Sequence, residues 1–472
     1  MKVPSSIWLQ QRKPLLKKLQ QTLSAKYDYV SVLAADECQR HFGINAGGIT
    51  VSESDRMGRR GFTVRVIDKG ACCEYAASDL TEEMIPETVE KISRDLKKMG
   101  DRFEAFEAVP AAEKELTFVR STEYEIHPQD CSDEEIVDRL SEIRSCALGM
   151  DERLLDCGVS LQNHIYSKLF LSDCRDLEQN CMHTCGGLFV LAKKGEEIKD
   201  SYRGFSGMCG LELLDRIRDA VPERVRTVTD LLSCEPLEPG VYDCICTPDV
   251  TGMIVHEAFG HGVEMDMFVK DRALARNCMG EMLASPIVNM RDGAAAADEV
   301  ASFFFDDEGN EAGNTLILDH GRLTAGMADS LTAARLGIAP TGNGRRESVE
   351  RKAYTRMTNT FFEGGTDKPE DMIASVKNGL LLCEPSSGME DPKNWGIQCM
   401  VSYAREIRDG KLTGRIFSPI ILSGYVPDLL RSISMMSGET ELCGSGACGK
   451  GYKEWVKVSD GGPWIRATIR LG

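Results

Sequence analysis

The residues of this chain best suited to chemistry lie together at His256-Glu257-Ala258-Phe259-Gly260-His261. Two imidazoles and a carboxylate within six residues offer two metal ligands and a general base. The H-E-x-x-H motif of zinc proteases places its two His one helical turn apart on one face. Here one residue is inserted. On a regular α-helix the rings of His256 and His261 would stand about 140° apart and could not reach one ion. Either the two His are unrelated polar residues at a helix end, or the helix widens locally to an i→i+5 turn that realigns them. Gly260, just before the second His, tolerates such a distortion.

A catalytic metal site of this kind takes three protein ligands and keeps one position open. Two His leave the third ligand to be found. Glu264 and Asp266 are near in sequence and carry suitable oxygens.

The wider pattern bears on that choice. The stretch continues to Asp266. It is followed by Asp306-Asp-Glu-Gly309, Pro340-Thr-Gly-Asn-Gly-Arg-Arg-Glu-Ser348, Arg356-Met-Thr-Asn-Thr360 and Gly446-Ala-Cys-Gly-Lys450. In this order the blocks resemble the TldD/PmbA family, once labelled modulators of DNA gyrase. The intact H-E-x-x-x-H resembles the TldD branch, the proteolytic subunit; the PmbA (TldE) branch lacks it. The blocks cover the C-terminal half densely and the N-terminal half only in general pattern.

The resemblance implies a zinc peptidase with one Zn2+ per chain, held by His256, His261 and Cys448. It implies Glu257 as the base that takes a proton from the attacking water and passes it to the leaving amine. It further implies a mainly β, barrel-like C-terminal domain. The substrates would be unfolded or short peptides, cleaved inside a homodimer or a heterodimer with a TldE/PmbA-like subunit. The family's Cys-Gly-Lys is usually followed by Gly-Gln, whereas this chain has Gly451-Tyr452, and a second thiol, Cys443, lies five residues before Cys448. The alternative to a peptidase is a non-catalytic subunit of a TldD/TldE-type complex that binds a peptide or partner.

Asn343, Arg345 and Arg346 are candidates for substrate handling. Gly and Asn permit unusual turns, and guanidinium groups match a peptide carboxylate in two-pronged fashion. A structural salt bridge explains the arginines equally well. The loop lacks the Lys-Ser/Thr ending of a P-loop. Arg356 and Asn359 match the next block but receive no role. Cys181-Met-His183-Thr-Cys185 is the one metal-like grouping of the N-terminal half; alternation along a strand explains it better, because a structural zinc site wants four ligands. His320 falls in a turn and is expected to be exposed.

At 472 residues the length suggests two to three domains, and 42% apolar residues suffice for packed cores. A net charge of −18 argues against direct nucleic-acid contact. The N-terminus has no apolar leader region, and no run of about eighteen apolar residues exists. The expectation is a cytoplasmic chain without a membrane span, whose 18 cysteines are reduced.

Periodicity predicts an α+β N-terminal domain, residues 1–232, built on an antiparallel sheet with helices. An amphipathic helix is expected over 6–24. Strands follow at 27–34, 48–54, 61–68 and 71–77, with a solvated three-arginine turn at 56–60. Helices are expected at 86–99, from Ser132 with a Ser132/Glu135 capping box, and at 207–220. Strands are expected at 159–171 and 185–192. The Pro- and Gly-bearing stretch 233–240 reads as a linker. Residues 233–472 form the β-rich domain that carries the metal-binding helix, with strands expected at 241–247, 282–288 and 299–305.

Overall fold

The computed structural model describes residues 1–53, 60–100, 113–451 and 454–472. Of the expected turn at 56–60 only Arg60 is among them, paired with Asp36 at 2.7 Å; Tyr452 also lies outside. No helix among the described residues is long and apolar enough to cross a membrane. All 18 cysteines are unpaired.

The N-terminal half is α+β, as expected. Helix α1 (Ile7–Ser24) precedes β1 (Tyr29–Asn45), β2 (Gly48–Glu53), β3 (Gly61–Asp68), β4 (Ala71–Ala77), α2 (Ile85–Gly100) and β5 (Leu116–Ser121). Then come α3 (Asp133–Leu148), the long strands β6 (Leu154–Leu171) and β7 (Arg175–Lys194), β8 (Glu197–Gly207), α4 (Leu213–Asp219) and α5 (Val221–Leu231). The sheet runs β4-β3-β1-β6-β7-β5, with β2 added to β1 and β8 to β7. Every pairing is antiparallel except β5 with β7.

The length of β1, β6 and β7 lets each strand serve two cores. Val30, Val32 and Ala34 meet Leu16, Leu19 and Leu23 of α1 and Ile92 and Leu96 of α2. Farther along, Phe42, Val159 and Leu188 meet Ile136, Leu140 and Ile143 of α3. That helix opens on the expected capping box, Ser132 with Glu135. The helix expected at 207–220 starts only at Leu213, and Pro222 at the first turn of α5 restarts the chain in a second helix.

The C-terminal half carries a closed five-stranded barrel. Its strands are β9 (Gly240–Cys246), β10 (Asn378–Asp391), β11 (Gly396–Arg408), β12 (Ile420–Tyr425) and β13 (Ile465–Leu471). They pair in the order β9-β13-β12-β11-β10, and β10 returns to β9 in parallel to close the ring. The ring closes where Gly379–Leu382 of β10 pair with β9; beyond them β10 keeps an open edge. Between β9 and β10 lie the motif helix and irregular segments crossed by short strands.

The strands expected at 282–288 and 299–305 are not formed; Met282 and Phe305 make single bridges to Arg322 and Glu311. At Phe304 and Phe305 a side chain replaces the ladder. The Gln179 carboxamide accepts from both backbone N–H groups at 2.8 and 3.2 Å and donates to the Phe305 carbonyl at 3.0 Å.

Candidate metal centre

Strand β9 leads through Thr247 into α6 (Pro248–Met253), where Pro248 occupies the first helical position. The helix then widens. Ile254–Gly260 is a π-helical segment, and the His261 N–H bonds to the His256 carbonyl five residues back. This is the i→i+5 turn that the extra residue of H-E-x-x-x-H requires. The rest of the segment anchors it, because Val250, Ile254, Val255, Ala258 and Phe259 are all fully buried in the C-terminal core.

With the insertion absorbed, both rings face one point. Their centroids are 5.0 Å apart and nearly perpendicular. Cys448 arrives from the far end of the chain, on a two-residue strand (Ala447–Cys448) held against Val456 and Lys457. One ligand atom each from His256, His261 and Cys448 lie within 4.8 Å of one another. The Cys448 Sγ is 3.5 Å from His261 Nε2. Two imidazoles and a thiol are the donor set zinc favours, and the spacing suits a single ion.

Electrostatics agree with a cation at this point. Burial, aided by the neighbouring His261, pushes His256 down to about 3, so its ring is neutral and free to ligate. Burial opposes charge on His261, yet Cys448 and Glu264 hold its proton and raise it well above the usual range. The groups that favour a charge there would favour a metal ion as well. Glu264 accepts from His261 Nδ1 at 3.2 Å and stays ionised despite burial, because Lys450, His261 and Arg356 surround it. Arg356, fully buried, donates to Glu264 at 3.2 Å and to Cys448 Sγ at 2.9 Å. Lys450 donates to Asp266 at 2.6 Å. Glu264 thus backs His261 directly, and Asp266 is joined to Glu264 through Lys450.

A close approach of backbones supplies one more neighbour. A Cβ on Gly252 would stand 2.8 Å from Gly461, so only glycine lets α6 lie on the strand Ser459–Gly462. The contact sets Asp460 Oδ2 3.6 Å from His256 Nδ1. Burial, with Glu257 nearby, raises Asp460 to about 7.

Glu257 is beside the triad, its carboxylate 4.0 Å from His261 Nε2, and burial raises it above its usual range. On its other side it touches β10 at Gly388. Cys443 lies away from the triad, against the Ser206 hydroxyl of β8 at 3.7 Å.

The remaining candidates are dispersed. Asn343 is fully buried and donates to Asp292 at 2.6 Å and to the Arg356 carbonyl at 3.0 Å. Arg346 is bound to Glu74 of β4 at 2.5 and 3.1 Å. Arg345 donates to the Met357 carbonyl at 2.7 Å and faces a cavity. Asn359 ties the loop at 293–302 to Ser459. His320 is exposed in its turn, with φ +48°. Cys181, His183 and Cys185 are buried along β7, which is covered on both faces. Sequence reasoning gave no positioning role to Glu264, Arg356, Lys450 or Asp460; the one local signal was the carboxylate three residues after His261.

Residues 239–469 match the family model described as the PmbA/TldA metallopeptidase C-terminal domain. A metalloprotease of Methanothermobacter thermautotrophicus is 29% identical over 281 residues, 59% of this chain and 61% of that protein. The chain therefore spans about three-fifths of that relative. A metalloprotease of Methanocaldococcus jannaschii is 26% identical over 87% of this chain and 90% of its own length. A zinc metalloprotease TldD homolog of Saccharolobus solfataricus is 23% identical over 92% and 95%. In fold the chain is similar to TldE of Thermococcus kodakarensis, with a TM-score of 0.76 at 16% identity over 96% of this chain and 99% of the other. Residues 239–469 thus match the PmbA/TldA metallopeptidase C-terminal domain, and through most of its length the chain is similar to these metalloproteases and, in fold, to TldE.

Proposed function

We propose that the chain is a zinc-dependent peptidase of unfolded or short peptides, in which His256, His261 and Cys448 hold one zinc ion and Glu257 is the general base. The observation that carries this reading is the convergence of the three donors beside a half-buried carboxylate. The metalloprotease and zinc metalloprotease names of the relatives support it.

Zinc held by this set would supply electrophilic polarisation of the scissile carbonyl and a lowered pKa for water. Glu257 takes the proton of the attacking water and returns it to the departing amine nitrogen. Glu264 fixes the His261 ring through Nδ1, and Asp460 faces His256 Nδ1.

Strand β10 offers a place for the substrate backbone. Its first half pairs with both β9 and β11, but residues 385–391 pair with β11 alone. Ser386, Ser387 and Met389 of this stretch are exposed, and Gly388 touches Glu257. A peptide added to that edge would be held mainly by its backbone, so side-chain selectivity would be loose. Of the substrate-handling residues, Arg345 would contact substrate, while Asn343 and Arg346 shape its loop. The likeness to TldE supports an assembly of two such folds, either a homodimer or a pair with a TldE/PmbA-like subunit.

The test is elemental analysis of the wild-type chain beside four variants, with hydrolysis of a short peptide in parallel. About one zinc per chain is expected in the wild type, Cys443→Ala and Glu257→Gln, and none in His256→Ala and Cys448→Ala. Glu257→Gln should lose roughly 10²–10⁴ of the hydrolysis rate with its metal intact. Zinc kept in Cys448→Ala and lost in Cys443→Ala would move the third ligand. A wild-type chain that takes up no zinc would overturn the peptidase in favour of a non-catalytic peptide-binding subunit.

A further inference from the structure

Between the N-terminal sheet and the C-terminal half lies a cavity of about 60 Å³, room for a few waters or one small polar group. Its walls hold an uneven set of charges. The carboxylates are satisfied. Asp307 accepts from Lys168 at 2.7 Å and from the Arg346 N–H at 2.8 Å. Asp306 accepts from the Gly344 N–H at 2.9 Å, Glu37 faces His164 at 3.2 Å, and Glu347 accepts from the Glu454 N–H at 3.0 Å.

Two of the cations are not matched in this way. Arg345 reaches only the Met357 carbonyl and the face of Phe303, and Lys457 reaches the Ser445 carbonyl at 2.9 Å. Among the described residues neither is ion-paired. Beside them stand His164 and His183, buried edge to face at 4.9 Å, each with a buried Nδ1 that has no hydrogen-bond partner. Burial first, with Lys457 and Arg345 adding to it, drives His183 well below its usual range. The donors that Arg345 and Lys457 leave without a charged partner call for an anion, since leaving them unmet is costly.

Position suggests which anion. Val456 lines the cavity and pairs with Cys448 across their two-residue ladder. Arg345 binds the carbonyl of Met357, and the preceding residue, Arg356, binds the Cys448 thiol. The cavity and the metal triad therefore share two thin walls.

We propose that this cavity receives the C-terminal carboxylate of a peptide, gripped by Arg345 and Lys457 with His164 and His183 completing the site. The proposal rests on the peptidase reading and narrows it: the preferred substrates are peptides with a free C-terminus, cut a few residues from that end. Arg345 is then a specificity residue rather than a catalytic one.

The test separates binding from hydrolysis. A fluorescent short peptide is prepared as the free acid and as the C-terminal amide. Each is titrated into full-length Glu257→Gln, in which turnover is blocked. The acid should bind at least about tenfold more tightly, as a charge-assisted pair in a buried site implies. Arg345→Met and Lys457→Met in the same background should bring the two affinities together, and Arg345→Lys should restore part of the gap. Inorganic phosphate should displace the acid peptide more readily than the amide.

Equal binding of acid and amide to Glu257→Gln overturns the proposal, and needs no cavity variant that might fail to fold. Phosphate binding without any preference for the acid peptide also overturns it, assigning the cavity to a free anion. If the wild type hydrolyses nothing but the acid preference and its loss in Arg345→Met stand, the peptidase reading falls and the carboxylate site survives.

Discussion

Arg356 heads the described residues as the largest side chain shielded from solvent. Burying a guanidinium is costly unless its donors are met. They are met by Glu264, by Cys448 Sγ and by the Glu454 carbonyl. One planar group thus orients a thiol donor and the carboxylate behind a histidine donor. Lysine keeps the charge but lacks the fork. Arg356→Lys should therefore weaken zinc binding about 10–100-fold, as outer contacts to ligands commonly do. Competition against a chromogenic chelator measures this; an affinity equal to wild type would reduce Arg356 to packing. The histidines were legible because they are neighbours in sequence. The role of Arg356 was not, because its two site partners lie 92 residues away in either direction, and the block it opens marks the residue without saying what it does.

At the scale of the element, the π-helical segment depends on what packs behind it. A Cβ at Gly260 would come within 2.6 Å of Met357 Sδ and 3.2 Å of the Val255 carbonyl. Met357 is fully buried and cannot simply swing out. Gly260→Ala should cost about 1–3 kcal/mol, the usual range for overpacking. Adding Met357→Ala should return part of that loss, giving a non-additive pair in denaturant titrations. Strict additivity would mean that the glycine serves some other purpose. The widened turn itself could be anticipated by counting residues between the histidines. The segments at 282–288 and 299–305 could not be read so, because there a distant glutamine or a single bridge takes over the role of a ladder, and strand-like composition does not reveal the substitution.

Across the whole molecule, the two halves are clamped by charge. Glu74 of β4 accepts from Arg65 of β3 at 2.7 Å and from Arg346 of the C-terminal half at 2.5 and 3.1 Å. Burial disfavours its charge, but Arg65 and Arg346 outweigh burial and hold it at about 2. A carboxylate depressed in the folded state stabilises fully above its ordinary value near 4.5, and that contribution fades as pH falls toward 2. Glu74→Gln should lower stability by about 3 kcal/mol at pH 7 and flatten this part of the acid limb in melts taken from pH 5 to pH 2. An unchanged acid limb would place the clamp elsewhere. Arg346 drew attention in the sequence as a binder of carboxylates; its listener turned out to be Glu74, 272 residues earlier, a distance over which sequence alone is silent.

The span between the donors has a consequence for how the protein is made. His261 and Cys448 are 187 residues apart, so the hairpin bearing Cys448 is made long after the motif helix. A nascent chain can fold its N-terminal sheet and thread its motif helix while still one donor short. The three donors therefore come together only after the hairpin that bears Cys448 has been made.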